Sequence, residues 1–477
     1  MSTPSTSLDP ALKRSIAAIM VGAMAVVFDT TILSVAIPTL SEDFNAPLNS
    51  IQWVVTGYLL AMFAVIPITG WAQRRFGGKH LWIGAVTLFT LGSLLCGFAW
   101  DATSLIAFRV LQGLGGGVII PLMATIIMQA AGGRAPGRIM AIVGLPMALG
   151  PILGPVLGGI ILHFVDWSWL FWVNIPLGVL GIVMAVRMIP SDAPTDRPML
   201  DVLGLALSTL GVVGLIYGLS NVAGDGGFGH ADVLAPGIVG LGLVVGYIFY
   251  ALRKGDDALI DLALLKHRPL AMSTLLMFLA GTAMYAAMFM LPLFYQQLRG
   301  SDVLATGLLL IPQGVGALAT RSIAGRLTDS IGPRWVVLAG FAIMTAATVP
   351  FAFADQATSG FFLGAILFAR GLGIGAVFMP LMATAYVGLD HHEIPHASIV
   401  TRVAQQIGGS FSIAVVAVVL QSQVADVTSA AGAATAFNHT FWWVVAFMAV
   451  GLVAAPFLPG KTAVEAVPEQ ELVTAEA

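Results

Sequence analysis

Charged residues are scarce in this chain. Only 9% of its 477 residues are Asp, Glu, Lys or Arg, whereas 58% are hydrophobic. A soluble globular chain carries about a quarter charged residues, so water cannot solvate this chain on all sides. The composition therefore predicts an integral membrane protein whose surroundings are the lipid bilayer.

Cysteine and excess positive charge are also missing. Cys96 is the single cysteine, which excludes an intramolecular disulfide framework and any multi-cysteine metal site. The 21 Lys and Arg residues face 24 Asp and Glu residues, for a net charge of −3. No basic surface for nucleic acid follows from these numbers, and no cofactor or metal is expected.

Long apolar runs dominate what is present. Spanning about 30 Å of hydrocarbon takes roughly 20 apolar residues. We count fourteen such runs, near residues 15–37, 50–72, 80–99, 102–127, 138–162, 169–189, 202–220, 233–252, 269–292, 303–324, 335–354, 358–380, 397–420 and 439–458. The first follows Lys13 and Arg14, as a signal peptide would, but it continues to Pro38 and is too long for one.

The placement of lysine and arginine predicts on which side of the membrane each connecting segment lies. With the N-terminus in the cytoplasm, only Arg299 falls on the outer side, and Arg109 and Arg370 fall inside helices. The remaining Lys and Arg residues lie in or beside cytoplasmic segments, as the positive-inside rule requires. The sequence therefore predicts an even number of spans with both termini cytoplasmic.

The chain repeats itself. Residues 121–125 read PLMAT, and residues 380–384 read the same. The loop after the second run (70–79) also resembles the loop after the tenth (325–334). Such repeats are typical of secondary transporters. They predict a cytoplasmic segment (1–14), a six-helix half (15–189), two extra helices with their linkers (190–268), a second six-helix half (269–459) and a cytoplasmic tail (460–477).

Four motifs in order resemble a known family. They are FDTTILSVAIP at 28–38, RVLQG at 109–113, GPILGPVLGG at 150–159, and WSWLF with NIPLG at 167–178. Together they resemble the major facilitator superfamily, specifically its fourteen-helix drug:proton antiporter branch (EmrB/QacA-like).

That resemblance implies an all-α major facilitator fold, with two six-helix halves plus two extra central helices. It implies export of amphipathic drugs or toxic compounds in exchange for protons, by alternating access in the plasma membrane. The partners would be small-molecule substrates and protons. The chain would work as a monomer, with or without an accessory partner protein. An exporter dedicated to one metabolite, antibiotic or lipid is the alternative within transport.

Two charges inside helices are the candidate proton-coupling residues. Asp29 is the only carboxylate placed well inside a predicted span. A charge at that depth costs about 2.5 to 3.5 kcal/mol and marks a functional site by default. Arg109 lies in the fourth run, and the resemblance places it near Asp29. A satisfied structural acid and an arginine that only braces its helix are the alternatives.

Three further groups are predicted to serve transport. Glycines and prolines of the fifth run would form a tight, bendable seam between the halves: Gly150, Pro151, Gly154, Pro155, Gly158 and Gly159. Loop residues would gate the cytoplasmic face: Gly70, Arg75, Gly77, Asp329 and Arg334. Polar, methionine and aromatic side chains would line a permissive substrate cavity: Thr30, Tyr58, Met62, Gln112, Met284, Met288, Phe289 and Tyr295.

A membrane enzyme is the alternative from another class. Residues 392–396 read HEIPH and match the zinc-protease pattern HExxH. That motif needs a continuous helix to bring both histidines to one face, and Pro395 disfavours helix just before it. We find no nucleophile–base pair at membrane depth and no nucleotide-binding loop. The sequence therefore predicts a transporter rather than an enzyme.

Overall fold

The structure is a computed structural model, and its described residues are all helical or in the turns between helices. The described ranges are 10–33, 36–46, 48–131, 150, 153–154, 156–190, 199–221, 230–255, 258–390, 393–424 and 430–460. The chain divides into two compact units, Met1–Val213 and Gly214–Ala477. The border between them falls inside a helix.

The first unit is built from helices that follow the predicted apolar runs. They are α1 (Pro10–Ile32), α2 (Ile37–Asp43), α3 (Leu48–Val65), α4 (Thr69–Phe76), α5 (Gly78–Cys96), α6 (Ala102–Ala131), α7 (156–164), α8 (Trp169–Trp172), α9 (Asn174–Met188) and the start of α10 (Val202–Asn221). A 3₁₀ turn at Ile66–Ile68 joins α3 to α4. Pro67 lies in that turn, where it removes a backbone donor from the helical ladder.

The second unit takes the rest of α10 and seven further helices. These are α11 (Ala231–Lys254), α12 (Arg268–Leu293), α13 (Val303–Ile331), α14 (Pro333–Thr348), α15 (Gly360–Ala385), α16 (Ile394–Val424) and α17 (Ala430–Ala454). A π-helical turn at Phe294–Leu298 extends α12. Asp302 caps α13, because its carboxylate accepts a hydrogen bond from the backbone N–H of Ala305 at 2.6 Å.

Twelve helices among the described residues are long and apolar enough to cross a membrane. Two predicted spans are not among the twelve. The span near 138–162 lies mostly outside the described residues. The span near 303–324 lies within the 29-residue helix α13. The described helices thus fit a multi-pass architecture, and the count of fourteen stays a prediction.

The sequence repeat has a counterpart in the packing of each unit. In the first unit α6 packs against α3 and α5, and in the second unit α15 packs against α13 and α14. The repeated loops also turn alike, because α4 ends at Gly77 with φ 81° and α13 ends at Gly332 with φ 89°. Glycine adopts these positive φ angles without the steric cost that a side chain adds.

Each unit has its own apolar core. In the first, buried side chains of α1, α3, α5 and α8 meet around Phe171. In the second, the ring of Phe294 contacts the rings of Phe351, Phe437 and Phe441 at centroid distances of 5.8, 6.1 and 5.9 Å. The first core lies beside the polar cluster in which Asp29 is found.

Candidate functional site

A carboxylate is buried in the first unit. Asp29 lies near the C-terminal end of α1, and 1% of its surface is exposed. Its Oδ2 accepts a hydrogen bond from Nη1 of Arg109 at 2.5 Å. Its Oδ1 accepts from Nε2 of Gln112 at 2.9 Å and from Nδ2 of Asn174 at 3.1 Å. Three donors and one full positive charge thus stabilise an anion that would otherwise be costly at this depth.

Arg109 is the partner of that carboxylate and is equally buried, at 1% exposed. Its Nε donates to the carbonyl oxygen of Val54 at 3.1 Å, and its Nη1 also donates to Oε1 of Gln112 at 2.7 Å. The guanidinium carbon lies 3.8 Å from the centroid of the Tyr58 ring. Contacts on the edge and the face of the guanidinium therefore fix its orientation.

Two amides and a hydroxyl complete the cluster. Gln112, Asn174 and Ser93 are all 0% exposed. Ser93 Oγ accepts from Nε2 of Gln112 at 3.0 Å and from Nδ2 of Asn174 at 3.2 Å, and it donates to the carbonyl oxygen of Phe171 at 2.9 Å. Ser93 therefore holds both amides against Asp29. Oδ1 of Asn174 is buried and has no hydrogen-bond partner among the described residues.

Helical spacing and a glycine bring these groups together. Arg109 and Gln112 are three residues apart on α6, as are Ser93 and Cys96 on α5, so each pair shares a helix face. A Cβ atom on Gly92 would lie 2.6 Å from Cα of Gln112. The two helix backbones therefore approach closely at this point, and the polar faces of α5 and α6 meet.

Sequence reasoning named three members of this cluster as site residues and did not name two others. Asp29, Arg109 and Gln112 were predicted, and the structure joins them directly. Ser93 and Asn174 were not assigned a role. Asn174 carried a usable signal, because an amide inside an apolar run needs a buried partner. Ser93 did not, since a serine can satisfy itself on its own helix.

The glycines of the fifth run pack against the helix that carries Asp29. A Cβ atom on Gly150 would overlap Val27, and one on Gly154 would overlap the hydroxyl of Thr31. Oγ1 of Thr31 also lies 3.0 Å from the carbonyl oxygen of Gly150. Within the first unit these glycines give room to α1. The seam between the halves stays a prediction.

The other residues predicted for this seam are only partly described. Gly158 and Gly159 are buried residues of α7. Pro151 and Pro155 lie outside the described residues, so the predicted bend at these prolines stays a prediction.

The cavity residues predicted in the first unit lie beside the charged pair. Tyr58 and Met62 are buried, at 1% and 5% exposed, one turn apart on α3. Among the described residues the Tyr58 hydroxyl has no hydrogen-bond partner, and a Cβ atom on Gly116 would lie 2.8 Å from it. Thr30 is partly exposed, and its hydroxyl donates to the carbonyl oxygen of Val27 at 2.8 Å. Their role in substrate binding stays a prediction.

The cavity residues predicted in the second unit differ in their packing. Met284 and Met288 are partly exposed and lie one turn apart on α12. Phe289 is also partly exposed and packs against the apolar core of that unit. Tyr295 is 1% exposed within that core and contacts the ring of Phe294 at 5.4 Å.

The predicted gating loops occupy helix ends. Gly70 is buried in α4, Arg75 is exposed near the end of α4, and Gly77 ends that helix. Asp329 is exposed in the last turn of α13. Arg334 donates from Nε to the carbonyl oxygen of Leu458 at 2.8 Å, which ties the start of α14 to the end of the helical chain.

The HExxH pattern is split by a helix start. Helix α16 begins at Ile394, so Glu393 precedes it and His396 lies in its first turn. Glu393 accepts a hydrogen bond from the backbone N–H of Asp390 at 2.7 Å, and Nδ1 of His396 accepts one from the backbone N–H of Asp261 at 3.2 Å. His392 lies outside the described residues. The described side chains of the pattern thus bind backbone donors.

Apolar helices of membrane-spanning length around a buried carboxylate–guanidinium pair are typical of multi-pass membrane transporters. Residues 19–413 match the Major Facilitator Superfamily, and the chain belongs to that family. The multidrug resistance protein B homolog of Mycobacterium tuberculosis is 37% identical over 418 residues, which cover 87% of this chain and 77% of the relative. The lincomycin resistance protein LmrB of Bacillus subtilis is 27% identical over 447 residues, which cover 90% and 92%.

A solved structure shares the fold. The crystal structure of the human organic anion transporter MFSD10 (TETRAN) matches with a TM-score of 0.61 at 15% sequence identity. The match covers 92% of this chain and 100% of that one. At this identity the likeness shows a common helical architecture and nothing about substrates.

Proposed function

We propose that this chain exports amphipathic drugs or other toxic compounds in exchange for protons, with Asp29 as the residue that carries the coupling proton. The observation behind this proposal is the buried contact between Asp29 and Arg109. A proton-driven exchanger needs a titratable group inside the bilayer, and buried ionisable residues in membrane helices serve that purpose. The multidrug and lincomycin resistance proteins among its relatives support drugs as the cargo.

The cluster can hold Asp29 in either protonation state. When Asp29 is ionised, Arg109, Gln112 and Asn174 all donate to it. When Asp29 binds a proton, one carboxyl oxygen becomes a donor and needs an acceptor. Oδ1 of Asn174 is an unused acceptor, and rotation of that amide presents it to the new O–H group. Loading and release of the proton thus require only a local exchange of hydrogen bonds.

One proton per transport cycle, moving down its gradient through such a site, carries enough free energy to accumulate the substrate. A gradient of one pH unit provides about 1.4 kcal/mol per proton. A membrane potential of 100 mV adds about 2.3 kcal/mol per charge. For a neutral substrate the two together support a gradient of several hundredfold at one proton per molecule. A monovalent cation that competes with the proton for the carboxylate would be exchanged without a second coupling site. That exchange moves no net charge, so the pH gradient alone drives it and supports a substrate gradient of about tenfold.

We extend the proposal to topology and location. Fourteen spans in the EmrB/QacA-like arrangement, two cytoplasmic termini and residence in the plasma membrane follow from the Lys and Arg distribution and from the motif order. The membership in the family supports a multi-pass protein of this kind. In this proposal α10 and α11 are the two extra helices between the halves.

The test is gradient-driven dye transport by the full chain in proteoliposomes. Rhodamine 123 and rhodamine 110 serve as amphipathic dyes, and an imposed pH gradient drives transport. The wild type should accumulate dye and release protons when dye is added. Asp29→Asn should insert normally and lose both signals, whereas Asp29→Glu should keep part of each.

Asp43→Asn is the matched control, because Asp43 is exposed at the end of α2 and loses the same charge. Its transport should equal that of the wild type. Asp29→Asn that still transports against a gradient and still releases protons would show that the coupling proton resides elsewhere. Absence of gradient-driven dye transport by the wild type would contradict the proposed export of amphipathic compounds.

A further inference from the structure

A second buried arginine lies in the other unit. Arg370 of α15 is 1% exposed. Its Nη1 donates to Oε1 of Gln313 at 2.5 Å, its Nη2 donates to the carbonyl oxygen of Ala283 at 3.0 Å, and its Nε donates to Oγ1 of Thr348 at 3.3 Å. All three acceptors are neutral. Arg370 therefore keeps its positive charge without a counter-charge in its own contacts.

A third buried arginine lies on the neighbouring helix. Arg321 of α13 is 8% exposed, and its Nε donates only to the thioether sulfur of Met379 at 3.1 Å. Thioether sulfur is a weak acceptor. Its Nη1 is buried and has no hydrogen-bond partner among the described residues. Arg321 thus presents a donor that nothing in the described chain satisfies.

Both arginines lie in the seam between α13 and α15, and no carboxylate among the described residues pairs with either of them. Arg370 contacts α13 through Gln313, and Arg321 contacts α15 through Met379. Gln313 and Arg321 are eight residues apart, or about 12 Å along the helix. Among the described residues the one ion pair is that of Arg109 with Asp29, so neither seam arginine has a carboxylate within ion-pair distance. This seam therefore carries two uncompensated positive charges.

The seam is tight at its backbone and lies beside residues predicted for the substrate cavity. A Cβ atom on Gly371 would overlap the backbone of Gln313, so α13 and α15 touch there. Gln313 itself is partly exposed. The carbonyl that Arg370 contacts belongs to Ala283, and the partly exposed Met284 follows it. An apolar surface thus adjoins the charged one.

We propose that this seam binds the anionic group, a carboxylate, of the exported compound. Arg321 supplies the donors that contact the carboxylate, and Arg370 is a positioning residue that supplies the second positive charge. A guanidinium binds a carboxylate through two parallel hydrogen bonds from two of its nitrogens, and the unsatisfied Nη1 of Arg321 can supply one of them. The proposal rests on the proposed function and narrows its substrates to amphipathic compounds with a free carboxylate, zwitterions included.

The test is equilibrium binding to the purified full chain in phosphatidylcholine nanodiscs at pH 7.5. Rhodamine 110 carries a free carboxylate, and rhodamine 123 is its methyl ester, so the two dyes differ by that group alone. Fluorescence anisotropy should show tighter binding of rhodamine 110 by the wild type. Arg321→Gln should weaken rhodamine 110 binding at least tenfold and change rhodamine 123 binding less than twofold, as the loss of a charge-assisted contact requires.

Three further variants serve as comparisons in the same binding assay. Arg321→Lys keeps the charge and should restore part of the preference, whereas Arg370→Gln should lower the preference by about threefold, because its charge acts from a distance. Arg326→Gln removes an exposed arginine from α13, the helix of Arg321, and should change the binding of neither dye. In the Arg370→Gln protein the ester should bind as it does to the wild type, which a merely misfolded variant would not do.

A wild type that binds rhodamine 110 no more tightly than rhodamine 123 overturns the proposal, as does an Arg321→Gln protein that loses both dyes equally. Replacement of phosphatidylcholine by phosphatidylglycerol distinguishes a lipid headgroup from a substrate. A carboxylate preference that vanishes with the anionic lipid would assign the seam to lipid and would also overturn the proposal. Because binding is measured without a proton gradient, failure of proton coupling leaves this result intact.

Discussion

Nδ2 of Asn174 donates to Oδ1 of Asp29 at 3.1 Å, while Oδ1 of the same asparagine has no partner among the described residues. The amide thus satisfies the ionised carboxylate with one end and keeps a free acceptor at the other. If Asp29 carries the coupling proton as proposed, Asn174 is a positioning residue for it.

Asn174→Leu should markedly slow gradient-driven dye transport. Leucine has neither the amide donor that contacts Oδ1 of Asp29 nor the amide oxygen that could accept from its protonated form. A hydrogen bond to a charged group contributes about 1.5 to 3 kcal/mol. The measurement is the initial rate of dye transport and of proton release under an imposed pH gradient. A variant with wild-type rates of both would show that Asp29 does not need this amide.

Gly154→Ala should impair transport and lower thermal stability. Its new Cβ atom would overlap the hydroxyl of Thr31, two residues from Asp29. Overpacking of this kind costs about 1 to 3 kcal/mol. Gly246→Ala is the control, because a Cβ atom on Gly246 of α11 meets nothing within 4 Å. Melting curves and dye transport should be normal for the control. Equal behaviour of the two variants would show that α1 does not need this glycine.

Tyr58→Phe should transport at close to the wild-type rate. The Tyr58 hydroxyl is buried and has no hydrogen-bond partner in the part of the chain that the structure describes, so its removal breaks no described contact, and the ring that faces Arg109 is kept. Tyr58→Leu removes the ring, and the loss of a buried cation–π contact costs about 2 kcal/mol. Transport should fall markedly in that variant. A large loss in Tyr58→Phe would reveal a role for the hydroxyl in proton or substrate binding.

Gly77→Ala and Gly332→Ala should destabilise the protein to a similar degree. Both glycines have positive φ angles at the ends of repeated helices, and alanine there costs roughly 1 kcal/mol. Gly325→Ala lies within α13 without that constraint and should be neutral or stabilising. Thermal unfolding in detergent compares the three. If Gly325→Ala loses as much stability as the others, the backbone angle is not the cause.

Cysteine labelling should establish the topology. In a Cys96→Ser background, a cysteine at position 299 should react with an impermeant thiol reagent from outside, and one at position 254 only from inside. The single native cysteine makes this background simple to prepare. Reversed labelling would contradict the cytoplasmic placement of the two termini.

The sequence by itself determined the membrane class, the helices and the two charges of the candidate site. A bilayer requires long apolar helices, so the runs that form α1, α3, α6 and α15 can be recognised from the local sequence alone. An Asp or Arg in such a run is conspicuous for the same reason, and Asp29 and Arg109 were found in this way. The repeated glycine loops are also local, since a positive φ angle belongs to one residue.

Only the tertiary structure decided which polar groups meet. Ser93 and Asn174 join Asp29 because α5, α6 and α9 are rotated so that their polar faces converge, and no run of residues encodes that rotation. The placement of Gly154 against Thr31 depends on the same packing. Arg321 falls near the cytoplasmic end of its run, where positive charge is ordinary. Its burial against Met379 follows from how α13 lies on α15.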